Sequence, residues 1–451
     1  MPNPEATERL SDQRRIYSHQ ITAGETMYIA PNKKHYPDKF LWDTCLIMSI
    51  LDRMGNADTA AELMPSLLSS MDKKTGFIPN MVFLSSKMGW SPERRLNFEK
   101  GAKHSDYTQP PIMAESAWET YEAFRKRGQS DKGRQFLMQN FPDLKLAYGY
   151  FLETSDKDKG DYLAKIDNPH ASGMDYLPIY ENEKLPLVPL NGHKTWNKIA
   201  KSLNTVLIYA DRLHTGHKKD FSAKDVAFNC LYARNLSFMS RIARELGEEK
   251  DERHFSALAN KVGEQILEKF WNEEKKMFFP IVNGESKEII TVSSLYPIIL
   301  TKTKPEQVEV IVNALEDKKL FNTNYPIPSV PRNSDKYDPS FEIKLIWRGG
   351  GTWPSFVNVF IAEGLARQSA RQDLDLDLRI RTAALAINIA NKNRELFEID
   401  PVPREFYNPE TGEGLRKKTV PEFVPSLFGK YISLEAIPEY IYPLAEARLA
   451  S

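Results

Sequence analysis

Two cysteines among 451 residues are too few for a disulfide framework. Cys45 and Cys230 both fall inside apolar helical patterns. Neither stands in a Cys-x-x-Cys or zinc-ligand spacing, so buried, reduced thiols are expected and no metal site is. An excess of one charge is missing too: 61 basic residues balance 61 acidic ones, and no basic tract of useful length occurs. That argues against a nucleic-acid partner and against an anionic membrane surface. There is no run of about 18 apolar residues to span a membrane, and no basic segment followed by an apolar one at the start. The default expectation is a cytoplasmic enzyme with a small-molecule substrate and no cofactor. Oligomeric state is not legible, a homo-oligomer included. Strand alternation is scarce as well; Glu288–Val292 is one short candidate.

What the chain does have is helical periodicity. Leu46, Ile47, Ile50, Leu51 and Met54 repeat at three and four, as do Leu63, Met64, Leu67, Leu68 and Met71, and Met113, Ala117, Trp118, Tyr121 and Phe124. This spacing makes one apolar face on a helix. Similar patterns run over 135–153, 198–214, 222–246, 251–271, 305–316, 353–369, 374–395 and 431–449. Ser222 with Asp225 has the form of a capping box, and Pro305 suits the first helical position. Between some helices lie a few residues. Between others lie long excursions, at 28–42, 76–112, 155–195, 321–352 and 401–424, and unstructured loops of such length are usually functional. No linker divides the chain, which is long enough to bury one large core. The expectation is therefore an all-α chain forming a single domain over 1–451. Its helices would form six hairpins closed into an (α/α)6 barrel, with long loops and the pocket at one end. An open solenoid is less favoured, because repeat proteins usually carry a visible sequence repeat and this chain does not.

The long loops are rich in aromatics and carboxylates. Trp42, Trp347 and Trp353 lie in or beside them, with Tyr28, Tyr36, Tyr107, Tyr176, Phe406 and Tyr407. Flat rings suit the C–H faces of sugars, while carboxylates, amides and Arg suit the hydroxyls. Asp43, next to Trp42, reads equally as a helix N-cap or as an acceptor for sugar hydroxyls. Gln109, before two prolines, is held extended and by spacing alone belongs to a rigid entry loop. The Gly349–Gly351 run lets the backbone approach a ligand, and it is no Walker motif. Glycosidic hydrolysis needs two carboxyls flanking the bond. One stays protonated in an apolar setting and serves as acid; the other draws a proton from water. Asp175, after Ser172-Gly173-Met174 and before Tyr176-Leu177, has the apolar surroundings of the first. Glu405, Glu410, Glu413 and Glu422 are all open for the second, with Arg404 and Arg416 near enough in sequence to pair with some of them.

Six motifs stand in order: Phe40-Leu41-Trp42-Asp43, Thr108-Gln109-Pro110-Pro111, Ser172-Gly173-Met174-Asp175, Trp347-Arg348-Gly349, Trp353-Pro354, and Glu405-Phe406-Tyr407-Asn408-Pro409-Glu410-Thr411-Gly412. Together they resemble the motif set of glycoside hydrolase family 63 and its trehalase relatives. The resemblance implies an (α/α)6 barrel and inverting hydrolysis of an α-glycosidic bond. It places the general acid on Asp175 and the general base on Glu405. It also implies sugar binding by Tyr36, Trp42, Asp43, Gln109 and Gly173, with Trp347 and Trp353 as walls. The chain lacks the extra β-sandwich of the larger processing glucosidases. It is similar instead to compact members that hydrolyse glucosylglycerate or mannosylglycerate. Three positions depart from the pattern. Ala171 stands where Glu is usual, Tyr176 where Asn is common, and Gly350-Gly351 where a proline normally follows Trp-Arg-Gly. Other readings are an α-glucosidase for a disaccharide or oligosaccharide, a sugar epimerase or unsaturated-glucuronyl hydrolase, and a non-catalytic carbohydrate-binding barrel. Eight histidines, few of them in the motif loops, speak against the epimerase.

Overall fold

The computed structural model describes residues 4–24, 26–84, 103–181, 203, 221–339, 347, 349–417 and 420–450, with side chains from residue 7 onward. Helices dominate: α1 (Pro4–Ser18), α2 (Leu41–Arg53), α3 (Ala57–Leu68), α4 (Met113–Lys126), α5 (Ser130–Glu153), α6 (Val226–Leu246), α7 (Glu249–Lys269), α8 (Pro305–Glu316), α9 (Val359–Ser369), α10 (Leu376–Ile399) and α11 (Tyr442–Ala450). Two 3₁₀ helices, Val292–Ile299 and Val424–Tyr431, complete the framework. Pro297 lies inside the first and removes a backbone donor that an α-helix would use, whereas Pro425, at the start of the second, sits where a helix leaves its donors unpaired.

Six of these elements form a closed inner ring. α2 packs on α4, α4 on α6, α6 on Val292–Ile299, and that segment on α9. The π-turn Pro354–Asn358 leading into α9 packs on Val424–Tyr431, which returns to α2. Closure rules out the open solenoid and gives the (α/α)6 barrel. The sequence separates the layers. In α2 every residue from Leu41 to Asp52 is buried, as expected of a helix enclosed on all sides. The outer α7 buries only the stripe Phe255, Leu258, Ala259, Val262, Ile266 and Leu267. Burial of each large side chain in such a stripe contributes about 2 kcal/mol. Four outer helices pack on inner partners, α3 on α2, α5 on α4, α7 on α6 and α10 on α9, while α11 packs on α10. Both cysteines are free and buried. Among the described residues, no helix is long and apolar enough to cross a membrane.

Several elements differ from the sequence reading. Apart from Leu203, the helix expected at 198–214 lies outside the described residues. The cap of α6 is Asp225, whose carboxylate accepts the Phe228 N–H at 2.8 Å, rather than Ser222. The helix expected over 431–449 is confined to α11, because the stretch before it carries Pro438 and runs as turns. The strand expected at Glu288–Val292 is absent. Its residues are irregular and then enter the 3₁₀ helix, where the Thr291 N–H meets Ser294 Oγ at 3.4 Å. The strands are slightly earlier: Ile281–Val282 pairs with Glu285–Ser286 and with Ala223–Lys224. Asn283 and Gly284 turn the hairpin with φ of 53° and 84°, the positive values that a two-residue hairpin loop favours.

The two ends of the barrel differ. At one end the connections are short, such as Met54–Asn56 between α2 and α3. A cavity of about 880 Å³ opens there, lined by charged side chains including Asp52, Arg53, Glu119 and Lys430. Arg53 already pairs with Glu119 and Glu363, at 2.8 Å each. The long loops, and every sequence-predicted site residue, gather at the other end.

Candidate active site

The mouth of α2 is fixed by backbone pairing. Lys39–Phe40 bonds antiparallel to Met81–Val82, and Leu41 N–H donates to Asn80 O at 2.9 Å. Phe40 occupies the N-cap without a side-chain bond, so Asp43 is a first-turn residue and not the cap. Instead Gln109 Oε1 accepts the Trp42 N–H at 3.1 Å. The rigid Gln109-Pro110-Pro111 loop thus satisfies one of the helix's open donors, and its amide NH₂ is what remains to offer a ligand. A helix start favours a carboxylate, yet Asp43 is 4% exposed. Burial first, then the charge of Glu405, pushes its pKa up to about 8. In the ligand-free protein Asp43 is accordingly a neutral acid at pH 7, able both to donate and to accept.

Glu405 lies across from this mouth, with two donors on it. Tyr36 Oη donates to Oε1 at 2.9 Å. Arg416 Nη1 donates to Oε2 at 2.6 Å and touches Tyr36 Oη at 3.3 Å. Burial, followed by the Glu405 charge, drives the Tyr36 phenol far above its ordinary value, so it stays a donor. The neighbouring Glu405 charge holds Arg416 charged against the effect of burial. Backbone pairing sets this loop as well. Thr352 and Tyr407 exchange N–H···O bonds at 2.9 Å in both directions, and Leu415 N–H reaches Phe406 O at 3.0 Å. The other glutamates of the loop are engaged elsewhere. Glu410 binds Arg332 and Tyr337, Glu422 binds Arg15 and His19, and Glu413 is exposed. Arg404 turns to Asp400.

The loop bearing Asp175 closes against the same mouth. Asn168 Oδ1 caps a 3₁₀ turn, Pro169–Ser172, by accepting the His170 N–H at 2.9 Å. Ser172 Oγ then donates to Pro169 O at 2.7 Å and accepts the Met174 N–H at 3.0 Å. Gly173 follows at φ 73°, and a Cβ there would lie 2.4 Å from the Trp42 indole. Glycine is therefore required twice, for its conformation and for its contact. Asp175 is partly exposed, with Met174, Tyr176 and Leu177 buried around it. Its Oδ2 lies 3.5 Å from His170 Nε2.

An aromatic layer backs these groups. Trp42 stacks on Phe356 at 4.2 Å, and Phe356 meets Phe423 at 6.0 Å. Phe423 in turn meets Tyr36 at 5.8 Å. Trp353 lies between Trp347, at 3.8 Å and 5°, and Phe406, at 5.0 Å. Both tryptophans are almost wholly buried, at 1% and 2% exposure. They support Phe406 and the Glu405 loop from behind more than they offer an open face. Arg348 lies outside the described residues.

The structure thus brings Tyr36, Trp42, Asp43, Gln109, Gly173 and Glu405 to one end of the barrel, with Asp175 two residues beyond the Gly173–Trp42 contact. Sequence reading leaves the partner of Arg416 open and passes over Phe356, Phe423 and the contact of His170 with Asp175. Position within the 401–424 loop hints at Arg416; nothing in the spacing points to the two phenylalanines.

Comparisons with known proteins bear on the family and the fold. The family model described as "Mannosylglycerate hydrolase MGH1-like glycoside hydrolase domain" matches residues 36–421. The mannosylglycerate hydrolase of Rubrobacter radiotolerans is 24% identical over 422 residues, covering 86% of this chain and 89% of that one. Among solved structures, the GH63 mannosylglycerate hydrolase of Thermus thermophilus in complex with Tris superposes with a TM-score of 0.73. It is 21% identical, and the match covers 94% of this chain and 100% of the other. Neutral trehalase Nth1 from Saccharomyces cerevisiae gives a TM-score of 0.58 at 15% identity, over 93% of this chain and 75% of its own. These two likenesses establish the barrel fold.

Proposed function

Because this chain belongs to the mannosylglycerate hydrolase MGH1-like glycoside hydrolase family and is a glycoside hydrolase, we propose that it cleaves a small α-glycoside with inversion. Mannosylglycerate or glucosylglycerate is the substrate class. Glu405 draws a proton from the attacking water, and Asp175 gives one to the departing oxygen. The observation that carries this reading is the mounting of Glu405. It is a buried carboxylate with one donor on each oxygen, beside a neutral Asp43, on the side of Trp42 where Gly173 brings in the Asp175 loop.

The chemistry follows from these surroundings. A carboxylate whose two oxygens are held by Tyr36 and Arg416 keeps one orientation towards water. Positioning of that kind lowers the entropic part of the barrier. Asp43 in its neutral form and the Gln109 amide take the sugar hydroxyls, while the Trp42 ring takes a C–H face. Water attacks the anomeric carbon, the C–O bond to the aglycone breaks, and the proton from Asp175 completes the leaving alcohol. Room for the water requires the two carboxyls to be roughly 6.5–9.5 Å apart.

Two relatives support the glycerate substrate. The Rubrobacter protein is named a mannosylglycerate hydrolase, and a Thermus structure holds Tris and D-glycerate. The test is hydrolysis of α-mannosylglycerate, α-glucosylglycerate, trehalose and short α-glucosides, with glycerate and hexose both quantified. Turnover of the glycerates above the others supports the reading. Turnover of trehalose or glucosides alone moves the function to an α-glucosidase. In the same assay Asp175→Asn and Glu405→Gln each lower turnover by a factor on the order of 10³ or more while folding is retained. Near-wild-type activity in either variant rejects its assignment.

A further inference from the structure

We propose that Glu422 is a positioning residue for the base: anchored by Arg15 and His19, it ties the loop that carries Tyr36 to the loop that carries Arg416, so that both donors stay on Glu405. This rests on the reading of Glu405 as general base.

The anchor is one carboxylate held by the last turn of α1 and by the residue that follows the helix. Arg15 Nη1 donates to Glu422 Oε1 at 3.0 Å. His19 Nε2 lies 3.0 Å from Glu422 Oε2. The other ring nitrogen sets the tautomer. His19 Nδ1 accepts the Lys33 N–H at 3.3 Å, so the hydrogen of the neutral ring sits on Nε2 and is donated to Glu422. Each oxygen of Glu422 therefore has its own donor, and one of those donors is charged, which strengthens the bond. His19 is itself buried and its backbone continues the same frame: Ala30 N–H donates to His19 O at 3.1 Å, across the hairpin of Gln20–Ala23 and Thr26–Ile29.

Glu422 stands between the two loops that hold the base. On one side its carbonyl accepts Asn32 Nδ2 at 2.6 Å, and Val424 N–H donates to Pro31 O at 3.0 Å. The buried Asn32 shapes the turn that presents Tyr36. Its Oδ1 accepts the N–H groups of Lys34 and His35, at 2.9 Å each, and its backbone oxygen accepts the Tyr36 N–H at 2.9 Å. On the other side Val420 N–H donates to Arg416 O at 2.8 Å. Phe423 N–H donates to Pro403 O at 2.7 Å, two residues before Glu405. The short stretch around Glu422 is thus bonded to the Tyr36 loop, to the Glu405 segment and to Arg416.

Arg416 is the residue that most needs such a hold. Its backbone φ is 55°, a left-handed conformation that a residue with a Cβ adopts at a cost on the order of 1 kcal/mol and keeps only where the surroundings enforce it. The ion pair with Glu405 is one restraint. The bond from Val420 and the Glu422 anchor beyond it supply the other. With the anchor loosened, Arg416 relaxes towards negative φ and its guanidinium is drawn off Glu405 Oε2. The Asn32 turn, tied to the same residue, loosens Tyr36 on Oε1. Glu422 is engaged by Arg15 and His19 on the side of α1, so its loss acts on the aim of the base at water, which is a term in kcat.

The test is steady-state kinetics of the wild type, Glu422→Gln, Arg416→Met and the double variant, on the glycoside that the enzyme hydrolyses fastest. Glutamine keeps the shape of Glu422 but offers one acceptor oxygen to two donors. In Glu422→Gln, kcat should fall about 10-fold with KM within about twofold of the wild type. In the Arg416→Met background the same substitution should lower kcat by about threefold or less, because one of the two donors it positions is already gone. An unchanged kcat overturns the proposal, whatever happens to the melting temperature, since a purely structural role moves only the latter. The full 10-fold effect repeated in the Arg416→Met background overturns it too. Arg15→Met serves where Glu422→Gln fails to fold: it removes one donor from a partly exposed site, and kcat should fall about threefold, with the same loss of effect in Arg416→Met. An unchanged kcat or a fully additive effect again overturns the proposal. If Glu405→Gln stays active, the base assignment itself falls. If Glu405→Gln is inactive and Glu422→Gln keeps its kcat, only the positioning role falls.

Discussion

The burial of Asp43 makes a direct claim about stability. Its carboxyl is enclosed by α2 and the Glu405 loop, and its pKa rises from the ordinary 3.8 to about 8, through burial first and the Glu405 charge second. The native protein therefore binds this proton more tightly than the unfolded chain does. The stabilisation linked to it is full below about pH 4 and is lost as the pH climbs towards 8. At ~1.4 kcal/mol for each tenfold difference in proton affinity, the gap between 3.8 and about 8 amounts to on the order of 5 kcal/mol at pH 8. About half of that applies at pH 6. Asp43→Asn replaces the neutral acid with a neutral amide of the same shape and removes the linkage. The variant should match the wild type near pH 4 and exceed it by about 3 kcal/mol at pH 6 and more at pH 8, while hydrolysis falls because the sugar contact is altered. Urea unfolding followed by tryptophan fluorescence at pH 4, 6 and 8 measures this. A stability difference that does not grow with pH would refute the account of Asp43 as a buried neutral acid.

Two further substitutions probe the mounting of the site. Gly173→Ala places a Cβ 2.4 Å from the Trp42 ring at a positive φ, and the backbone strain alone costs about 1 kcal/mol. A displaced Asp175 loop should lower kcat/KM by about 100-fold with little change in far-UV circular dichroism; kinetics near wild type would show that the loop does not depend on this contact. Arg416→Met leaves Glu405 with Tyr36 as its single remaining donor of the two. Steady-state kinetics should show kcat reduced on the order of 10-fold or more and KM changed far less, whereas a change confined to KM would assign Arg416 to substrate binding instead.

The sequence announces the barrel more clearly than its details. Periodicities of three and four delimit α4, α5, α6, α7 and α8 to within a few residues, because outer and inner helices alike bury apolar side chains at helical spacing. What periodicity cannot reveal is which segments depart from the α-helix. Val292–Ile299 and Val424–Tyr431 are staves of the inner ring, yet they are short 3₁₀ helices, and the start of the first reads as the end of a strand. The Asn283-Gly284 pair marks a hairpin, and the alternation that follows it is the weaker signal. At the site, the motif residues Trp42, Asp43, Gln109, Gly173 and Glu405 are each legible, and the structure gives each a neighbour that spacing could not supply. Gln109 caps α2 through its carbonyl, which reconciles the rigid-loop reading with a place at the site. Trp347 and Trp353 stack on each other and lie in the core, because a flat ring flanked by Phe406 loses more water-exposed area in a stack than at a pocket wall. The pairings of Arg416 with Glu405 and of Arg332 with Glu410 depend on loop paths that no local pattern encodes.

The central claim is that Glu405 and Asp175 act on opposite faces of the sugar. Proton NMR of the first-formed hexose, recorded within minutes of adding enzyme to α-mannosylglycerate or α-glucosylglycerate, tests it most directly. The β-anomer should appear first and then mutarotate towards equilibrium. Appearance of the α-anomer first would mean retention, and would contradict the assignment of Glu405 as a base acting through water.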